Sequence, residues 1–210
     1  MKAIARKACE LLENGESFVV ATIISHSGST PRTAGTKMIV TADGQGIGTI
    51  GGGLLEAGVI SQAKALIPLG QSAQIPMDLS KNITSTMDMI CGGQADILLD
   101  CLAPTRMNRV LFLRWKRAME NGDGGYLLTR VFEANGEIQR VGHAWAGVRG
   151  DIEGTVTLSV TEKNWVSASV TSAELSGAPQ IQTLMVDNGY WVMESAGRVR
   201  SVHIFGAGHV

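Results

Sequence analysis

Hydrophobic positions along the chain change period several times, and each change marks an element. Between residues 2 and 14, Ile4, Ala8, Leu11 and Leu12 recur at helical spacing. Asn14-Gly15 supplies the stop. "SFVVATII" (Ser17–Ile24) is rich in β-branched residues and predicts a buried strand. After a loop, Ser25–Gly35, "TKMIVT" (Thr36–Thr41) predicts a second strand, and a turn at Ala42–Gly46 leads into a short return strand, "IGTIGG". Leu54–Ile67 then predicts a helix with Leu55, Val59, Ala63 and Leu66 facing inward, ended by Pro68.

Ser85–Leu102 reads as a loop and then a strand from about Ala95, and residues 106–119 as an amphipathic helix that stops at Asn121-Gly122. Beyond it the period falls to two. Tyr126–Trp145 holds two strands around Asn135-Gly136, the strongest short-range hairpin signal, and Gln180–Ser195 repeats the device at Asn188-Gly189. "TVTLSV" (Thr155–Val160) alternates too and predicts a strand. The predicted class is α+β: a mixed β-sheet with a few packed helices and a β-rich second half. Last, Val202–Phe205 predicts a strand running into Gly206-Ala207-Gly208, the way a dinucleotide-binding βαβ unit opens.

Composition narrows the function. The chain has 210 residues, enough for one large domain or two small ones, and a net charge of -1, which offers no field for nucleic acid or an anionic membrane. Neither is expected as a partner. Three cysteines, Cys9, Cys91 and Cys101, lack the spacing of a disulfide framework or a zinc site. Glu10 and Glu13 interrupt any signal-peptide core, and no apolar run approaches spanning length, so a cytoplasmic protein is expected.

Of the 26 glycines, several cluster. Gly46, Gly48 and Gly51 form a formal GxGxxG, but the polar turn before Gly46 makes a hairpin the better reading, because a dinucleotide fingerprint needs its strand to end at the first glycine. Gly51-Gly52-Gly53 stands before a helix. There it either exposes amides to an anion or lets strand and helix pack closely. Glu56, in the first helical turn, either caps the helix or accepts a hydrogen bond from an amine-bearing ligand. Ser29, Thr30 and Arg32 in "GSTPR" are donors suited to phosphate or oxo groups, or members of an ordinary turn. Cys91 beside Gly92 and Gly93 is a candidate nucleophile, sulfur carrier or metal ligand, or a buried apolar residue. Cys9 and Cys101 read as core, and His26 and His143 as loop or surface residues without partners.

Four pieces in order, "GSTPRTAGTKMIV", "GTIGGGLLE", "ICGG" and "HIFGAGHV", resemble the XdhC/CoxI family, the accessory factors of xanthine dehydrogenase and related molybdenum hydroxylases. The likeness is densest over residues 17–67. It implies a factor that binds molybdenum cofactor (molybdopterin), supports its sulfuration with a cysteine desulfurase, and inserts it into an apo molybdenum hydroxylase. It also implies a homodimer and, in a longer form, an NAD(P)-type Rossmann domain. Site residues carried over are Ser29, Thr30, Arg32, Gly51, Gly52 and Gly53, then Glu56, Cys91, Gly92 and Gly93, with Gly206, Gly208 and His209 at the far end. Cys91 is the implied molybdenum or sulfur contact. The expected organisation is an N-terminal domain over 1–103, a β-rich segment over 104–198 packed on it, and the opening of a truncated Rossmann-like domain over 199–210. Catalysis by the factor itself is not implied. The competing classes are an NAD(P)-dependent oxidoreductase or thiol enzyme lacking its cofactor domain, and a plain interaction module.

Overall fold

The structure, a computed structural model, describes residues 1–28, 30, 32–78, 93–176 and 181–196. Its strands form two five-stranded sheets in which all recorded pairings are antiparallel. Sheet I has the order β3-β2-β1-β5-β4, from β1 (Phe18–Ser27), β2 (Lys37–Thr41), β3 (Gly46–Gly48), β4 (Ala73–Asp78) and β5 (Gln94–Leu102). Sheet II has the order β8-β7-β6-β10-β9, from β6 (Tyr126–Ala134), β7 (Glu137–Ala146), β8 (Ile152–Gly154), β9 (Ile181–Val186) and β10 (Gly189–Ser195). Four α-helices complete the described fold: α1 (Lys2–Glu13), α2 (Gly53–Leu66), α3 (Arg106–Asn121) and α4 (Val160–Ser176). The α+β expectation holds.

Side-chain alternation along each strand separates two faces and so two environments. On sheet I, Val19, Ala21 and Ile23 face outward and are covered by Leu55, Val59 and Ala63 of α2. On sheet II, Leu128, Trp191 and Met193 face outward and are covered by Val166 and Val170 of α4. The inner faces meet directly where Ile24 and Leu98 pack on Val131, Tyr190 and Val192. Elsewhere α1 and α3 fill the space, with Leu12, Leu111, Phe112 and Trp115 against Phe18 of sheet I and Leu127 of sheet II. Both sheets and the α1–α3 pair therefore share one interior.

Most boundaries follow local chemistry. Thr105 caps α3 by accepting from the Asn108 amide, and Gly122 ends it in the left-handed conformation. The hairpin turns use Asn135 and Gly136, and Asn188 and Gly189, all at positive φ. The formal GxGxxG is a hairpin, with Met38 opposite Gly48 and Val40 opposite Gly46. Strand β4 has no counterpart in the sequence reading. Its Pro76 is tolerated because β4 lies on the edge of sheet I.

The strand expected over Thr155–Val160 is not formed. The chain leaves β8 at Gly154 and enters α4 at Val160. Alternation over six residues did not suffice for a strand there, and α4 escaped notice because "VTEKNWVSASVTSAELS" is rich in Ser, Thr and Val, so its helical periodicity is weak. The helix start was nonetheless encoded, as a capping box. The Glu162 amide donates to Ser159 Oγ, and the Ser159 amide donates to Glu162 Oε2. Replacing Ser159 with Ala is expected to lower stability by about 0.5–2 kcal/mol, read as a drop in the thermal midpoint. An unchanged midpoint would mean the cap is dispensable. None of the described helices is long and apolar enough to cross a membrane.

Candidate functional site

Sheet I brings several motif segments to one end. Lys37 at the start of β2 lies opposite Thr22, Met38 opposite Gly48 at the end of β3, and Ser27 at the end of β1 opposite Gln94 at the start of β5. The 28–36 connection, the 49–52 loop and Gly93 therefore leave the sheet at the same pole, and α2 begins there at Gly53. Gly93 is buried; Arg32 is exposed. Thr30 is half-buried, its hydroxyl donating to the Arg32 carbonyl at 2.8 Å. Ser29, Cys91 and Gly92, and Gly206, Gly208 and His209, lie outside the described residues, as does the predicted strand of residues 202–205.

The three glycines stand at φ 142°, 83° and 59°, so each occupies backbone space that side-chain-bearing residues avoid. A Cβ on Gly52 or Gly53 would meet nothing within 4 Å. Close strand-to-helix packing, one of the two readings of this triplet, is thus not the reason for Gly52 and Gly53. They are needed for the path of the chain, and open space lies in front of them.

Glu56 holds that path from behind. Its Oε1 accepts from the Thr49 hydroxyl at 2.6 Å, the Gly52 amide at 2.8 Å and the Ile50 amide at 3.1 Å. Thr49 Oγ1 in turn accepts from the Gly51 amide at 3.2 Å. These bonds engage the amides before the helix and leave those of Gly53, Leu54 and Leu55, which have no acceptor within their own helix, at its positive end. Thr49 was absent from the sequence reading, since a lone threonine in a loop carries no signal of such a role.

Burial pushes the Glu56 carboxyl up, but the hydrogen bonds from Thr49, Gly52, Ile50 and Gly51 outweigh it and hold the group below the ordinary carboxylate value. A depressed folded-state pKa stabilises the loop above the unfolded value, and that contribution is lost as pH falls through the folded one. A carboxyl-carbon NMR titration of Glu56 is expected to show its midpoint below the ordinary 4.5. A midpoint at or above 4.5 would contradict the hydrogen-bond set.

A second polar cluster lies between the sheets. Lys37 Nζ donates to Thr22 Oγ1 at 2.7 Å and pairs with Glu194 Oε2 at 2.9 Å. His143 Nε2 lies 2.7 Å from Asp100 Oδ2. All five residues are buried. The expectation of a partnerless surface His143 is corrected: it sits on the inner face of β7, beside Phe112. His26 is exposed at the end of β1 and its Nδ1 accepts from the Ala34 amide. Lys37 and Asp100 could have been noticed, because Lys37 opens the apolar run Met38–Val40 of β2 and Asp100 lies among Leu98, Leu99 and Leu102 of β5.

Cys9 is buried in the interior shared with α3, and burial pushes its thiol up to about 11. Cys101 is half-buried on the outer side of β5. Burial, then the neighbouring Asp100, pushes its thiol to about 11 as well. Neither is primed as a nucleophile. Among the described residues no group of three or more His, Cys, Asp or Glu could hold a metal ion.

The family comparison falls on the same segment. The profile of the XdhC and CoxI family matches residues 11–77. The chain is 31% identical over 96 residues to uncharacterized protein YqeB of Escherichia coli, covering 46% of this chain and 18% of the relative. It is 39% identical over 69 residues to a probable xanthine dehydrogenase subunit of Bacillus subtilis, covering 33% of this chain and 21% of the relative. The matched parts are thus about a fifth of either relative's length. In fold, it resembles the crystal structure of a xanthine dehydrogenase from Bacillus halodurans, with a TM-score of 0.58 at 22% identity over 72% of this chain and 46% of that one. Matching positions 11–77 include β1, the 28–36 connection, the glycine triplet and α2, and over that segment the chain is similar to the XdhC and CoxI family.

Proposed function

We propose that this chain is an accessory factor for a xanthine dehydrogenase-type molybdenum hydroxylase, and that it binds molybdenum cofactor at the pole of sheet I. The carrying observation is that the family match covers both the 28–36 connection and the glycine triplet, which sheet I brings to one end. The donor chemistry suits the ligand. Molybdopterin presents a phosphate and oxygen-rich edges. Open space before Gly52 and Gly53, first-turn amides of α2, Thr30 and exposed Arg32 are what such an anion requires. When bound, the cofactor would supply the molybdenum centre that the client enzyme later uses.

In this reading residues 1–103 carry the site. Gly51, Gly52 and Gly53 give the approach for the phosphate, and Ser29, Thr30 and Arg32 give side-chain donors. Cys91, two residues before Gly93 in the sequence, offers a soft sulfur to molybdenum or to the incoming sulfur atom. The class of client is supported by the name of the Bacillus subtilis relative. Sulfur delivery by a cysteine desulfurase belongs to the same proposal.

Anaerobic incubation with molybdenum cofactor, gel filtration, and assay of pterin fluorescence and molybdenum in the protein peak test it. Near-stoichiometric retention that falls in Arg32→Ala and Cys91→Ala is expected. No retention by the unmodified chain at saturating cofactor overturns the reading.

A further inference from the structure

Two buried side-chain polar atoms lack a hydrogen-bond partner among the described residues: Asp100 Oδ1 and Trp115 Nε1. One is an acceptor and the other a donor. Both residues line the same cavity between the sheets, which measures about 10 Å³, roughly the room one water molecule needs. Asp100 is 6% exposed and Trp115 1%.

Neighbouring groups narrow what fits. Lys37 also lines the cavity and carries three ammonium protons, of which Thr22 and Glu194 account for two. Phe112 sets its ring edge-on to Trp115, with centroids 5.7 Å apart, and to His143, 5.9 Å apart, so the aromatic wall is fixed from one side. A cation could not accept the indole proton. An anion would face Asp100 and Glu194. Water alone accepts from an indole N–H and donates to a carboxylate oxygen.

We propose that this cavity is an internal-water site, in which one water accepts from Trp115 Nε1 and donates to Asp100 Oδ1, with the third proton of Lys37 as a further donor. The water joins the Asp100–His143 pair to the Lys37–Glu194 pair. It thereby turns two separate contacts between the sheets into one polar network that also reaches α3. Unlike the cofactor proposal, this site depends on nothing at the glycine triplet.

The test uses the full 210-residue chain. In water-selective NMR, the Trp115 indole proton, assigned by its disappearance in Trp115→Phe, is expected to show a cross-peak of the sign given by a long-lived bound water. Relaxation dispersion of the solvent is expected to count one long-lived water fewer in Trp115→Phe. A high-resolution crystal structure should place density within hydrogen-bond reach of both atoms. Should the variant fail to fold, through-bond assignment of the Trp115 indole proton in the unmodified chain takes its place, and the cross-peak there still decides. Absence of the cross-peak, or a protein carbonyl found accepting the indole proton, overturns the proposal.

Discussion

Lys37→Met is expected to lower the stability of the chain by about 3–5 kcal/mol, because it leaves the buried Glu194 carboxylate without its counter-charge. Side chains of the pair are 4% and 7% exposed, so solvent cannot take over. The loss has two parts: the missing attraction across the sheets, and the desolvated carboxylate left behind. The double replacement Lys37→Met with Glu194→Leu removes both charges and is expected to recover most of the loss. Urea unfolding checks this, with the slope required to stay constant so that midpoints report stability alone. For a chain of this length each kcal/mol corresponds to about 2–4 °C in thermal midpoint. If the single variant lost less than about 1 kcal/mol, the pair would be behaving as a solvated surface contact.

Gly52→Ala is the second large expectation. Gly52 sits at φ 83° and ψ -178°, a region reserved for glycine. Since an added Cβ meets nothing within 4 Å, the whole cost is backbone strain rather than a clash, about 1–3 kcal/mol. The chain can relieve that strain only by turning the peptide that Glu56 holds, which also moves the first amides of α2. Cofactor retention is therefore expected to fall by about tenfold or more, the equivalent of about 1.4 kcal/mol. Gly58→Ala is the matched control. Gly58 lies within α2, also with open space around its Cβ, and there alanine favours the helix. It is expected to stabilise slightly and leave retention unchanged. Equal effects of the two substitutions would remove the special role of the triplet.

The unusual chain path before α2 was legible because it is written in local backbone requirements. Three successive glycines before a helix announce an unusual chain path, and a Pro-fixed turn with hydroxyls and an arginine announces a donor set. What the residues did not disclose was direction. Whether Glu56 points at a ligand or back at its own loop depends on where Thr49, Ile50 and Gly52 lie relative to its carboxylate, and that is set by how β3 enters α2.

The sequence by itself determined α1, α2 and α3, the turns at Asn135-Gly136 and Asn188-Gly189, and the strands around them. Each rests on periodicity or on positive φ within a few residues, which is local information. Tertiary structure alone decided the rest. It divided the strands into two sheets and made α4 from a Ser/Thr/Val-rich segment that gains its stability by covering Trp191 and Met193. It brought Lys37 to Glu194, 157 residues on, and Asp100 to His143, 43 residues on. Pairing a buried charge requires a partner at a distance of about 3 Å, and no pattern along the chain specifies which distant residue the packing of two sheets will deliver there.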